Sequence, residues 1–419
     1  MASAQRRLAS ITSQIQPAKN SKDAVLRKNP DDIVITFAAR TPLTKARKGA
    51  FKDTQLEDLM VPLLKALIEE SNIDPSLVED VCLGNVLHPG AQYVARAAVL
   101  AAGFPVTTAS SVASRWCSSG LLSVQQIANQ IAAGSIDVGV AIGAESMSTN
   151  PDGGAPKFSE QAMQSQVVKD TTMPMGWTSE NVAGDFSISR KQQDEFAALS
   201  QQKAEKAQRE GWTKDEIIPI SVQFKDPKTG ESKTIVADKD EGVRAGTTAD
   251  GLAKIKPAFP QWNPSTTTGG NASQITDGAA AILLMKRSTA KAIGQPILAK
   301  FVGATVAGLE PRIMGIGPTV AIPKLLEKVG MALDDIDIVE INEAFSSMGV
   351  YCRDKLKISS EKLNPRGGAV ALGHPLGCTG ARQIVTALSE LKRTDKKTAI
   401  TSMCVGTGIG MAGLIVSEQ

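Results

Sequence analysis

Two thiols, an imidazole and a carboxamide set the chemistry open to this chain. Cys117 lies in the run Arg115, Trp116, Cys117, Ser118, Ser119, Gly120, where a tight turn feeds an amphipathic helix. A thiol at a helix N-terminus meets free N–H groups and the positive end of the dipole, which favours thiolate. Ser118, Ser119 and Gly120 are small enough to let a substrate approach the backbone. The plain alternative is inert packing, the usual role of a free cysteine. His374 is one of two histidines and lies between Gly373 and Pro375, with Gly377 and Gly380 close behind. That reads as an open turn in which an imidazole can act as base. A lone histidine is more often a satisfied structural group, but the glycines and an internal repeat argue otherwise here. Cys404 follows a strand and opens a run with glycines at 406, 408 and 410. Backbone N–H groups of such a run, Gly406 among them, can face an approaching oxygen. Asn342, at the end of a strand, can donate to a carbonyl directly or through water. A Cys–His pair within hydrogen-bond reach activates a thiolate. Together these groups suit acyl transfer from a thioester. One thiol attacks the carbonyl, donors hold the oxyanion, and the second thiol exchanges protons at carbon or sulfur.

The elements that must position these residues alternate between strand and helix. Residues 32–37 read as a buried strand. Residues 56–70 form a helix with Leu56, Leu59, Leu63, Leu64, Leu67 and Ile68 on one face. Residues 81–85 read as a strand, 95–102 as a short helix, and 110–114 as an extended segment delivering Cys117. Apolar Leu121, Leu122, Val124, Ile127, Ala128 and Ile131 then recur at helical spacing. Residues 138–145 form a central strand. The alternation predicts a mostly parallel sheet covered on both faces. From 148 to 275 polar residues, Pro and Gly replace the apolar strands, which marks an inserted domain over the core. Strand texture returns at 275–285.

The last third repeats the first. Asn85 precedes Cys117 by 32 positions, and Asn342 precedes His374 by 32. On that spacing His374 takes in the second half the place Cys117 takes in the first. Each heads a helix, so two pseudo-symmetric halves would bring both helix heads to a shared centre.

Composition narrows the function further. The 419 residues are 42% hydrophobic and 4% aromatic, with 46 basic and 43 acidic residues and a net charge of +3. That balance gives no reason to expect nucleic acid. No apolar run approaches the roughly 20 residues of a membrane span. The five cysteines show no CxxC spacing, and only His88 and His374 could add imidazole, so neither a zinc site nor a disulfide framework is expected. A dinucleotide fold is disfavoured, because the glycine run from 406 has no crossover helix after it.

The motifs around Cys117, Asn342 to Phe345, Gly373-His374-Pro375 and Cys404 to Gly408, in this order, resemble the thiolase family over about residues 32–419. The likeness is nearest to the fungal peroxisomal branch. It implies an α/β thiolase fold of two βαβαβ halves in five layers (α-β-α-β-α). It also implies thiolytic cleavage of 3-ketoacyl-CoA to acetyl-CoA and a shortened acyl-CoA in fatty-acid β-oxidation. Cys117 would carry the acyl group, His374 would activate it, and Cys404 would exchange protons. One oxyanion hole would use His374 and a water held by Asn342, the other the N–H groups of Cys117 and Gly406. CoA is the co-substrate, and no permanently bound cofactor or metal is implied. Arg244, Ser273 and Met175 match positions that touch CoA, although many relatives carry His where this chain has Pro174. Within the class, a biosynthetic acetoacetyl-CoA thiolase is the alternative, and outside it a non-catalytic lipid carrier of the same fold. A ketoacyl synthase would pair its cysteine with two histidines, whereas Cys404 stands where one would be.

The expected division is a targeting or flexible segment at 1–29, an N-terminal half at 30–147 plus 276–297, an inserted CoA-binding loop domain at 148–275, and a C-terminal half at 298–419. The chain would work as a homodimer. Its first 22 residues are basic and lack acids. Arg7, Leu8, Gln14 and Ile15 resemble the amino-terminal peroxisomal signal, to be read by an import receptor. A mitochondrial presequence is the other reading.

Overall fold

Most strands that carry the candidate site are buried on both faces, and this dictates where the helices lie. A computed structural model describes residues 22–262 and 265–419. The candidate import signal lies outside the described residues. In chain order the first part comprises α1 (Lys22–Leu26), β1 (Ile33–Arg40), β2 (Thr44–Lys45), α2 (Leu56–Ser71), β3 (Asp80–Gly84), α3 (Ala91–Ala101), β4 (Ala109–Ala113), α4 (Ser119–Ala133) and β5 (Val138–Ser146). The chain then leaves the sheet for α5 (Gln166–Asp170), α6 (Met175–Asp185), α7 (Arg190–Arg209), β6 (Ile220–Lys225), β7 (Ser232–Ala237) and α8 (Ala249–Ala253). It returns through β8 (Thr276–Lys286) and α9 (Arg287–Ala292). The last part is β9 (Ala299–Gly308), α10 (Pro318–Val329), β10 (Ile338–Ile341), α11 (Ser346–Leu356), α12 (Ala369–Leu372), α13 (Thr379–Thr394), β11 (Thr398–Val405) and β12 (Ile409–Ser417).

The strands run in the order β10-β11-β12-β9-β1-β8-β5-β3-β4. Only Val34 with Lys300 and Ile35 with Ala299 join the two halves of this array, where β1 meets β9. Side chains alternate between layers. Along β8, Ala281, Leu283 and Met285 face the cluster of α2 and α3, while Ala280, Ile282 and Leu284 face α4 and α13. On the far side, Ile400, Ala412 and Leu414 pack against Ala321, Ile322 and Leu325 of α10 and Val350 of α11. The layers are therefore α2/α3, sheet, α4/α13, sheet, α10/α11, the five-layer α-β-α-β-α arrangement. The middle helices are covered by both sheets.

The expected mostly parallel sheet is a mixed one. β3–β4, β3–β5 and β10–β11 are parallel, but β1–β8, β5–β8, β11–β12 and β12–β9 are antiparallel. A tight turn at 406–408 joins β11 to β12, and only antiparallel strands can be joined so closely. Strands buried on both faces carry no pattern that reports direction.

The repeat is real but its register differs from the sequence spacing. Cys117 lies two residues before α4 begins, whereas His374 lies five before α13 begins. The extra turn α12 absorbs the difference, so His374 is not the positional mate of Cys117. The heads of α4 and α13 do meet. A Cβ on Gly120 would lie 2.7 Å from the Gly377 carbonyl oxygen and 2.8 Å from the Ala381 nitrogen. Ser118, Ser119 and Gly120 are buried, and that closeness serves the helix heads and not a substrate.

Buried charge fastens the segment between β5 and β8 to the sheets. Arg40 of β1 donates to Glu216 Oε1 at 2.7 Å and to both oxygens of Asp240 at 2.7 and 2.8 Å. Arg366 reaches the other oxygen of Glu216 at 3.4 Å and Glu390 at 2.8 Å. One carboxylate is thus shared by an arginine from each end of the chain.

Candidate active site

Cys117 is held by a turn that its own neighbours close. The Ser118 and Ser119 N–H groups donate to the carbonyls of Arg115 and Trp116, each at 3.0 Å. The Ser118 hydroxyl donates to Arg115 O and the Ser119 hydroxyl to Trp116 O. Trp116 sits in the left-handed region at φ 44°, a strained conformation for a bulky residue. The Cys117 thiol is pushed up to about 11 by burial, although the N–H groups of Gly406 and of Cys117 itself oppose the rise. The thiolate expected from the helix start is therefore not the resting form. Desolvation outweighs the donors, and Ser118, not Cys117, is the N-cap.

The tautomer of His374 follows from its partners. The Thr379 hydroxyl donates to Pro375 O at 3.0 Å, so it accepts from His374 Nδ1 at 2.6 Å. Nε2 is left with its lone pair, facing the Asn342 carboxamide nitrogen at 3.2 Å. Burial, with the nearby Arg382 charge, pushes the imidazole down to about 3, so it is neutral. The turn is not open as the glycines suggest. His374 is 5% exposed, and a Cβ on Gly373, at φ 104°, would collide with Thr276. Those glycines permit close packing.

Cys404 lies inside β11, one residue before its end, and not beyond the strand. It packs with Met314, Met348 and Val182. Burial holds its thiol far above the usual range, and Cys117, once ionised, raises it further. Gly406 follows in the hairpin turn, with the Trp116 ring and the Met175 sulfur flanking it at 3.6 and 3.9 Å from the position of a Cβ. The structure thus brings Cys117, Gly406 and Cys404 to one place, and Asn342 and His374 to a second joined to it through the helix heads. A neutral thiol, a neutral base whose Nε2 lone pair accepts from Asn342, a second buried thiol and two backbone donors are the parts of an acyl-transfer site.

Comparison with known families decides among the chemistries such a site can do. Residues 33–288 match the thiolase N-terminal domain and residues 295–417 the thiolase C-terminal domain. The chain belongs to the thiolase family. It is 50% identical over 417 residues to a peroxisomal 3-ketoacyl-CoA thiolase of Yarrowia lipolytica, covering 98% of this chain and 100% of that one. The structure resembles the dimeric peroxisomal thiolase of Saccharomyces cerevisiae with a TM-score of 0.87 and 46% identity, over 95% of this chain and 100% of that chain. It also resembles a peroxisomal 3-ketoacyl-CoA thiolase of Saccharomyces cerevisiae described as five-layered and built from two core domains of identical topology. There the TM-score is 0.77 and the identity 42%, over 94% of this chain and 100% of that chain.

The three residues expected at CoA are spread over the segment between β5 and β8. Met175 opens α6 beside Gly406. Ser273 is half-buried and donates its N–H to Ala344 O, next to the Asn342 turn. Arg244 is exposed, and its N–H donates to Gln201. Thr379 and Glu145 escaped sequence reasoning. A hydroxyl five residues after His374 was a local signal for the first. Nothing local marked Glu145, whose partner Gly377 is 232 positions away. Among the described residues no group of three or more His, Cys, Asp or Glu is placed to hold a metal ion.

Proposed function

We propose that this chain catalyses thiolytic cleavage of 3-ketoacyl-CoA by CoA in peroxisomal β-oxidation, through an acyl-Cys117 intermediate. The observation that carries the reading is the junction of Cys117, the Gly406 N–H and Cys404 in a chain half identical to a peroxisomal 3-ketoacyl-CoA thiolase. His374 Nε2 takes the Cys117 proton and Sγ attacks the 3-keto carbon. The C2–C3 bond breaks, and the leaving acetyl-CoA enolate takes a proton at C2 from Cys404. The shortened acyl group stays on Cys117. Cys404, now thiolate, removes the proton of incoming CoA, whose sulfur attacks the acyl-enzyme. Cys117 leaves and recovers its proton from His374. Asn342 and His374 steady one oxyanion, and the N–H groups of Cys117 and Gly406 steady the other.

Arg244, Ser273 and Met175 are assigned to CoA, with residues 148–275 as the domain that binds it, 30–147 plus 276–297 and 298–419 as the catalytic halves, and 1–29 as the targeting segment read by an import receptor. A homodimer is in keeping with the dimeric Saccharomyces cerevisiae relative. The test is incubation of purified enzyme with a series of 3-ketoacyl-CoA substrates and CoA. Acetyl-CoA and an acyl-CoA two carbons shorter are expected, and Cys117→Ala should abolish both products and the covalent acyl label. Label persisting on another thiol, or no cleavage of any chain length, overturns the reading.

A further inference from the structure

Glu145 is a buried carboxylate that takes no part in these steps, yet it lies at their centre. The strand registers show where. Gly84 of β3 pairs with Gly143 of β5, and Ile341 of β10 pairs with Ser402 of β11. Asn85 and Asn342 follow the first member of each pair. Two residues beyond the second member stand Glu145 in one half and Cys404 in the other. Glu145 is therefore the symmetry counterpart of the second thiol.

Its surroundings supply donors only. Oε1 accepts from Asn85 Nδ2 at 2.9 Å and from Leu87 N at 3.2 Å. Oε2 accepts from Val86 N at 3.1 Å and from Gly377 N at 3.0 Å. Among the described residues no lysine or arginine pairs with it. Four donors and no acceptor favour the ionised form, against burial that pushes the carboxyl up to about 7. Gly377 belongs to the loop that carries His374 and closes on the Thr379 hydroxyl. That loop is pressed on the ends of β3 and β5, since a Cβ on Gly377 would lie 2.7 Å from Gly84 O and 2.8 Å from Asn85 Cα. Burial raises the thiols of Cys117 and Cys378, and the Glu145 charge adds to the rise at each. Cys378 and His374 lie on the same loop as Gly377, and His88 lies on the segment after β3. Asp152 adds like charge at Cys117, and Arg382 and Arg40 oppose it at Cys378.

We propose that Glu145 is a positioning residue of the reaction, which pins the His374 loop to the first half through Gly377. Its charge adds to the burial that keeps resting Cys117 a thiol. This rests on the reading of Cys117 and His374 as nucleophile and base. The two effects separate between two variants. Glu145→Gln removes the charge and turns an amide N–H₂ toward backbone donors, freeing the loop. Its kcat should fall about tenfold or more, the loss that follows when a buried donor goes unpaired. Alkylation of Cys117 by iodoacetamide at pH 8 should become faster, roughly tenfold for each unit the thiol falls. Glu145→Asp keeps the charge but is one methylene shorter. It should lose turnover while its alkylation rate stays at that of the parent.

Turnover at the parent rate in either variant overturns the proposal. So does lost turnover in Glu145→Gln with unchanged or slower alkylation, the mark of a scaffold role alone. Should Glu145→Gln fail to fold, as read by circular dichroism, Glu145→Asp decides. Mass spectrometry of the alkylated peptide locates the label, so failure of the Cys117 assignment shows as label elsewhere, independently of Glu145.

Discussion

His374 and Asn342 meet ring nitrogen to carboxamide nitrogen at 3.2 Å, while the ring's other nitrogen is held by Thr379 at 2.6 Å. This contact places a donor and a base at one point. The Asn342 carbonyl oxygen is buried without a partner, so the amide nitrogen is the end presented to the site. Asn342→Ala removes an oxyanion donor and should lower kcat by about 10²–10³ with a smaller change in KM. Steady-state kinetics over substrate concentration checks this. A loss confined to KM would place Asn342 in ground-state binding instead.

Thr379 determines which nitrogen of His374 carries the proton. Thr379→Val leaves Nδ1–H buried with no acceptor, at a cost of about 1–3 kcal/mol. Turnover should fall by roughly 5- to 150-fold on that scale. Thr379→Ser keeps the hydroxyl and should restore most of the rate. Equal losses in both variants would mean that the methyl group matters and not the hydrogen bond.

Cys117 and His374 are both neutral at rest, one raised to about 11 and the other lowered to about 3. The signs set the pH dependence. A raised thiol gains thiolate only as pH climbs toward that value, so at pH 8 about one molecule in a thousand is thiolate. The rate of iodoacetamide alkylation of free enzyme should keep rising through pH 9 and 10. A plateau near pH 7 would show a preformed thiolate–imidazolium pair and contradict the neutral resting state.

Arg40 is fully buried between Glu216 and Asp240. Arg40→Met strands both carboxylates, although Arg366 still reaches Glu216. Breaking a buried pair on one side costs about 3–5 kcal/mol. The urea midpoint should drop, and limited proteolysis should cut within residues 148–275 before the rest. Unchanged protease resistance would show that apolar packing alone fastens this segment.

Removing residues 1–16 should leave kcat unchanged and move a fluorescent fusion from peroxisomes to cytosol. Import that persists without them would place the signal elsewhere in the chain.

The site was legible where short runs of sequence carry their own meaning. Cys117, His374, Cys404 and the glycines around them stand in such runs, and the amphipathic face from Leu121 to Ile131 is buried as its spacing predicts. Three things were not legible. The mixed direction of the sheet leaves no trace in strands that are apolar on both faces. The three-residue offset between the helix heads depends on the turn α12, which the matched 32-residue spacings conceal. The resting thiol at Cys117 reflects desolvation, which depends on what the fold packs around it and not on the residues beside it.

The middle layer makes each repeat answer to the other. Gly120 has no room for a methyl group because of a carbonyl in the other repeat, and a Cβ on Gly380 would collide with Leu121 in return. A change at one helix head therefore has to be answered at the other. A chimera that takes one half from a distant relative inherits half of a lock whose key it has lost.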